Sequence, residues 1–193
     1  MNIYIEAGAH DGHFQSNTLQ FDEDNNSKSI LIEPCINNFT QCKNTRSEKN
    51  YFYNCALVGF DFKDSETQLF EMNHAEKSIH QNGYTENSEF IPTYHFNGQI
   101  VKCRTLQSIL DELKIYNIEK FFLDVEGYEL EVLKGIDYEK TIFNEIISET
   151  HSNALYKTQE EEEKAVTAFL NSKNYYKIDK DNDHPHHISY KLK

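Results

Sequence analysis

The chain has 193 residues, with 32 acidic and 19 basic side chains and a formal net charge of −13. That length suits one domain. The charge disfavours general DNA or RNA binding, where most affinity comes from cations that displace counterions. Apolar residues make up 38% of the chain, enough for one core, which excludes wholesale disorder.

Short apolar runs alternate with helical patterns. Ile3-Tyr4-Ile5, Ile30-Leu31-Ile32, Phe121-Phe122-Leu123 and Ile146-Ile147 are brief and continuous, as strands buried on both faces of a parallel sheet are. Residues 73–100 are rich in Asn, His, Glu and Ser and read as an insertion or lid, partly irregular. Leu106, Ile109, Leu110 and Leu113 share one helix face, with Thr105 at the N-cap position. Leu130, Leu133 and Ile136 make a shorter helix that ends near Gly135. Thr158 and Glu161 have capping-box spacing, and Val166, Phe169 and Leu170 supply the buried face that follows. Glu160 to Glu163 then read as a solvated first turn, suited to the positive end of the helix dipole. Tyr175–Ile178 and Ile188–Leu192 read as a closing hairpin. The series predicts a single α/β domain over 1–193 with a mostly parallel sheet and right-handed crossovers.

No run is long and apolar enough for a membrane span. No cationic stretch precedes an apolar run at the N-terminus, and Glu6 stands where a secretory leader would be apolar. Cys35, Cys42, Cys55 and Cys103 are scattered without a CxxC pair, which fits reduced thiols in a cytoplasmic protein.

Each of the four strands ends in a carboxylate: Glu6, Glu33, Asp124 and Glu149. The ligand crevice of an open parallel sheet lies beyond the carboxyl ends of its strands. The first loop, Glu6-Ala7-Gly8-Ala9-His10-Asp11-Gly12, has GxxxG spacing rather than the GxGxxG of a dinucleotide site. Its glycines permit a tight turn and a close ligand approach. Glu6 and Asp11 would repel a pyrophosphate and attract a cation. S-adenosylmethionine carries an ammonium, a sulfonium and no phosphate, so it suits this loop better than NAD or ATP. Glu33 stands where an acid accepts bonds from both ribose hydroxyls. Pro34 beside it can also start a helix.

These residues resemble the FkbM-type S-adenosylmethionine-dependent methyltransferases of the Rossmann-like class I. The resemblance rests on Ile5 to Gly12, on Leu31-Ile32-Glu33-Pro34 with Phe39 and then Asn54-Cys55-Ala56-Leu57, and on Leu123-Asp124-Val125-Glu126-Gly127-Tyr128-Glu129 followed by Val132-Leu133-Lys134-Gly135. It implies a sheet of about seven strands whose last hairpin places one strand antiparallel. It also implies methyl transfer to a hydroxyl of a sugar or other small acceptor. The cofactor contacts it implies are Glu6, Gly8, Ala9, Asp11, Gly12, Glu33, Asn54, Cys55 and Asp124. Two departures stand out. Phe122 occupies the position of a lysine found in many relatives, and the first strand begins almost at Met1 where relatives often carry a preceding segment.

Methyl transfer needs positioning and a route for the acceptor's proton. The candidate catalytic residues are Asp124, Glu126 and His151, the last being the natural base near neutral pH. His184, His186 and His187, with Asp181 and Asp183, have metal-ligand chemistry but read as a hairpin turn, and no metal is expected. The other readings are a catalytically silent Rossmann-like module and a nucleotide-dependent oxidoreductase. Neither the acceptor nor the oligomeric state is legible in the sequence.

Overall fold

A computed structural model describes residues 1–71, 77–79, 95–150, 158–178 and 187–193. Strand β1 is Asn2–Ala7, β2 is Ser27–Ile32, β3 is Tyr51–Tyr53, β8 is Asn117–Leu123, β9 is Ile142–Glu149, β10 is Tyr175–Lys177 and β11 is His187–Leu192. They form a seven-stranded sheet in the order β10-β11-β9-β8-β1-β2-β3. The pairs from β9 through β8, β1 and β2 to β3 are parallel. β11 alone runs the other way, antiparallel to both β9 and β10. The expected C-terminal hairpin therefore closes the sheet as anticipated.

The central strands are apolar because helices cover both faces of a parallel sheet. Ile5, Ile30, Phe121 and Ile146 have no exposed surface and form one core with Leu106, Ile109 and Leu110. Those three come from α2 (Leu106–Leu113), whose first turn is capped by Thr105 Oγ1 accepting the Ser108 N–H at 3.2 Å. Helix α1 (Ile36–Thr45) begins two residues after Pro34, with Cys35 at its N-cap. The short α3 (Glu129–Leu133) follows β8. Helix α4 (Gln159–Ser172) starts at Thr158, whose hydroxyl accepts the Glu161 N–H.

Two features differ from the sequence reading. Glu162 is not part of a solvated turn: it is fully buried in one stripe with Val166 and Leu170. Four further strands also form a second sheet, in the order β4-β7-β5-β6. They are β4 (Ala56–Leu57), β5 (Glu66–Glu71), β6 (Lys77–Ile79) and β7 (His95–Arg104). Within 73–100, the described residues 77–79 and 95–100 are thus strand, and the rest lie outside the described residues. The polar composition hid these strands, because a sheet with a solvated face needs few apolar residues.

The link from β1 to β2 carries no α-helix. It contains one 3₁₀ turn at Leu19–Phe21. Phe21 stacks on Tyr4 of β1 with ring centroids 3.7 Å apart, which seats this link against the sheet.

Candidate functional site

Strand register brings three turns together. Ala7 of β1 pairs with Ile32 of β2 and with Leu123 of β8, and Leu123 pairs with Ser148 of β9. The residues that follow this row are Gly8, Glu33, Asp124 and Glu149. All four therefore stand at the carboxyl edge of adjacent strands, where an open α/β sheet places its ligand crevice. Glu6 lies one row further back, paired with Leu31 and Phe122.

The glycine loop is tied down on both sides. The N–H groups of Gly8 and Ala9 both donate to the Ile32 carbonyl, at 3.0 and 3.1 Å. Gly8 and Gly12 have φ of +86° and +78°, which glycine adopts without a Cβ penalty. Ala9 is buried against Leu31 and Cys42.

Glu6 is 4% exposed and organises the loop from beneath. Its carboxylate accepts from the Ser16 hydroxyl at 2.9 Å, the Asn17 N–H at 2.7 Å and the Thr18 hydroxyl at 2.5 Å. Arg46, itself 3% exposed, comes within 3.6 Å of it. The guanidinium also donates to Ser16, to Thr18 and, through two bonds of 2.8 Å, to Asp22. Arg46 is shared between Glu6 at 3.6 Å and Asp22 at 2.8 Å, so it offsets only part of the negative charge beneath the loop.

Glu33 is 5% exposed, and each carboxylate oxygen holds one amide. Oε2 accepts the His10 N–H at 3.0 Å, and Oε1 accepts the Cys35 N–H at 2.8 Å. One side chain therefore joins the glycine loop to the start of α1. A carboxylate can accept about four hydrogen bonds, so this anchoring is compatible with holding a ribose. Asn54 reinforces the same turn, donating to the carbonyls of Glu33 and Pro34 at 2.8 and 2.9 Å. Gln99 of β7 donates to Pro34 as well, which links the second sheet to this turn. Cys55 is buried, and burial pushes its thiol up to about 12. Asp11 caps the loop by accepting the N–H groups of His13 and Phe14. Slight burial opposes its ionisation, but those two bonds and His10 hold its carboxyl below the ordinary value.

Asp124 begins the third turn, and its N–H donates to the Ala7 carbonyl at 3.1 Å. Glu126 and Gly127 follow with φ of +59° and +93°. Sequence reasoning did not single out Glu129, which accepts the N–H groups of Val125 and Gly127 at 2.9 and 3.2 Å. In the sequence it stands only as the last residue of the Leu123–Glu129 block, with nothing local to mark its two amide partners. His187 is the register partner of Glu149, so it also reaches the carboxyl edge. His151, His184 and His186 lie outside the described residues. Among the described residues no group of three or more His, Cys, Asp or Glu is placed to hold a metal.

A separate open groove of about 540 Å³, lined by Phe60, Tyr138, Phe169 and Lys173 among others, precedes the amino end of β9 and lies away from these turns.

The family model of the methyltransferase FkbM domain matches residues 6–178, from the glycine loop to the last hairpin. The chain belongs to the FkbM methyltransferase family. Its seven-stranded sheet, with one antiparallel strand in the closing hairpin, is the Rossmann-like methyltransferase fold. No curated protein and no solved structure matched the chain. Among the described residues of this FkbM methyltransferase, no helix is long and apolar enough to cross a membrane.

Proposed function

We propose that this methyltransferase uses S-adenosylmethionine to methylate a hydroxyl oxygen of a sugar or other small acceptor. The observation that carries the reading is the shared row of Gly8, Glu33 and Asp124 at the carboxyl edge of β1, β2 and β8. The donor set suits this cofactor. The turns present carboxylates and backbone groups, and the buried Arg46 faces Glu6 and Asp22 rather than serving as a phosphate ligand. When bound, the cofactor supplies an electrophilic methyl on a sulfonium.

The chain's own residues do the positioning. Glu33 accepts the ribose hydroxyls while its amide bonds fix its rotamer. Asp124 orients the cationic end of the cofactor. Gly8, Ala9, Asp11 and Gly12 shape the loop beside it, and Asn54 and Cys55 form the wall behind Glu33. The acceptor's proton leaves to Asp124, Glu126 or His151. The whole chain acts as one catalytic domain, with 73–100 contributing acceptor selectivity. Gln99, among its described residues, supports that role through its bond to Pro34.

A calorimetric panel tests the reading. S-adenosylhomocysteine and S-adenosylmethionine are expected to bind, whereas NAD and ATP are not. Transfer of labelled methyl to candidate hydroxyl acceptors then separates an active enzyme from a silent module.

A further inference from the structure

The turn Asp124–Gly127 cannot hold itself in place. Glu126 is a non-glycine residue with φ +59°, and Gly127 follows at +93°. Gly127 adopts its φ without a Cβ penalty, but a non-glycine residue such as Glu126 persists there only where its surroundings over-determine it. The group that does so is Glu129. Its Oε1 accepts both amides that flank Glu126, Val125 N–H at 2.9 Å and Gly127 N–H at 3.2 Å.

Glu129 is fully buried at the start of α3, and α3 packs against α4. Glu162 of α4, also fully buried, faces it. Two buried carboxyls in contact do not both ionise. Burial first, and then the like charge of Glu162, push the Glu129 carboxyl well above its ordinary range. Among the described residues, Glu162 supplies the charge that acts on it.

We infer that Glu129, backed by Glu162, is the positioning residue of this enzyme, a proton-sharing pair that fixes the Asp124–Gly127 turn from behind. Protonated Glu129 uses Oε1 as the carbonyl oxygen for the two amides and turns Oε2–H toward Glu162. The pair touches neither cofactor nor acceptor. It sets where Asp124 and Glu126 stand, and thus it rests on the reading of that turn as part of the methyl-transfer site.

The test compares Glu129→Gln, Glu129→Leu and Glu162→Gln with the wild type, using two readouts. Amide hydrogen exchange at Val125 and Gly127 is measured without ligand, with β8 amides as the folding control. Calorimetry then gives the S-adenosylhomocysteine affinity. Glutamine can still accept both amides, so Glu129→Gln is expected to keep them protected and leave affinity within about threefold. Glu129→Leu removes the acceptor. Both amides should then exchange at least about tenfold faster, with β8 still protected, and affinity should fall by about tenfold or more. The infrared carbonyl stretch of a protonated carboxyl at neutral pH should be present in the wild type, lost in Glu129→Gln and shifted in Glu162→Gln, where burial still favours the protonated Glu129 but its neighbour has changed. If Glu129→Leu does not fold, the two Gln variants and this band carry the test.

Unchanged exchange in folded Glu129→Leu, release of the amides in Glu129→Gln, or no protonated-carboxyl band in the wild type would each overturn the inference. Wild-type protein that fails to bind S-adenosylhomocysteine while the amides respond as expected would overturn the cofactor reading and leave standing only the hold of Glu129 on the turn.

Discussion

Gly8 runs so close to Asp124 that a Cβ on Gly8 would stand 1.8 Å from the Asp124 carbonyl oxygen. The first and third turns of the site are thus one packed unit. Movement of either is felt by the other.

Gly8→Ala tests this contact. Its φ of +86° penalises alanine, and the clash is with backbone, which cannot rotate away. We expect a loss of about 1–3 kcal/mol in stability, the usual cost of a strained backbone position. Cofactor affinity should fall by about tenfold or more because the Asp124 turn is displaced. Thermal melts and calorimetry give both numbers. An alanine variant matching the wild type in both would mean that the loop has slack it does not show.

Glu33→Ala removes two buried amide partners, those of His10 and Cys35. The sequence alone suggests a variant with an intact fold and weakened binding. The structure adds a stability loss of about 1–3 kcal/mol, because both N–H groups lose their acceptor. Chemical denaturation should register it. An unchanged midpoint with weakened binding would assign Glu33 to the ligand alone.

Acid stability follows from Arg46 and Asp22. Burial alone would raise the Asp22 carboxyl, but hydrogen bonds from Arg46, Asn50 and Ser47 hold it below its ordinary value. A carboxyl lowered by folding stabilises the native state fully above its unfolded pKa, and that contribution is lost as pH falls through the folded value. Denaturation midpoints should therefore be flat near neutral pH and drop below about pH 4. Asp22→Asn should be less stable by about 1–3 kcal/mol at neutral pH and show a shallower acid limb. An acid limb as steep as that of the wild type would place the titration elsewhere.

How far the sequence discloses this site depends on the kind of signal. The strands β1 and β2 are legible because both faces are buried and each holds a continuous apolar run, whereas β8 and β9 show only short apolar runs, since alternate residues are partly or fully exposed. Their common edge follows from that, and with it the positions of Gly8, Glu33 and Asp124. The partners that neutralise or fix the acids are not legible. Arg46 is 40 residues from Glu6 in the numbering, and nothing local marks it as the cation beneath the loop. Glu162 sits in a run of four acids, where composition predicts solvent rather than burial. Strands β5 and β7 hide for the opposite reason, since polar residues on a solvated sheet face give no apolar run.

Asp124→Asn preserves shape and removes charge. Once an acceptor is known, single-turnover rates at saturating cofactor should fall markedly, with a smaller loss in binding. His151→Ala is the companion. If His151 is the base, turnover should fall by roughly 10²–10⁴ with binding preserved. Near-normal rates in both would mean that the proton leaves by another route.

The proposed cofactor site is the carboxyl edge of β1, β2 and β8. Backbone amide shifts recorded during titration with S-adenosylhomocysteine test it residue by residue. Saturable changes are expected at Gly8 to His10, Glu33 to Cys35 and Val125 to Gly127. Changes confined to the groove at Phe60 and Lys173, or none at millimolar ligand, would contradict it.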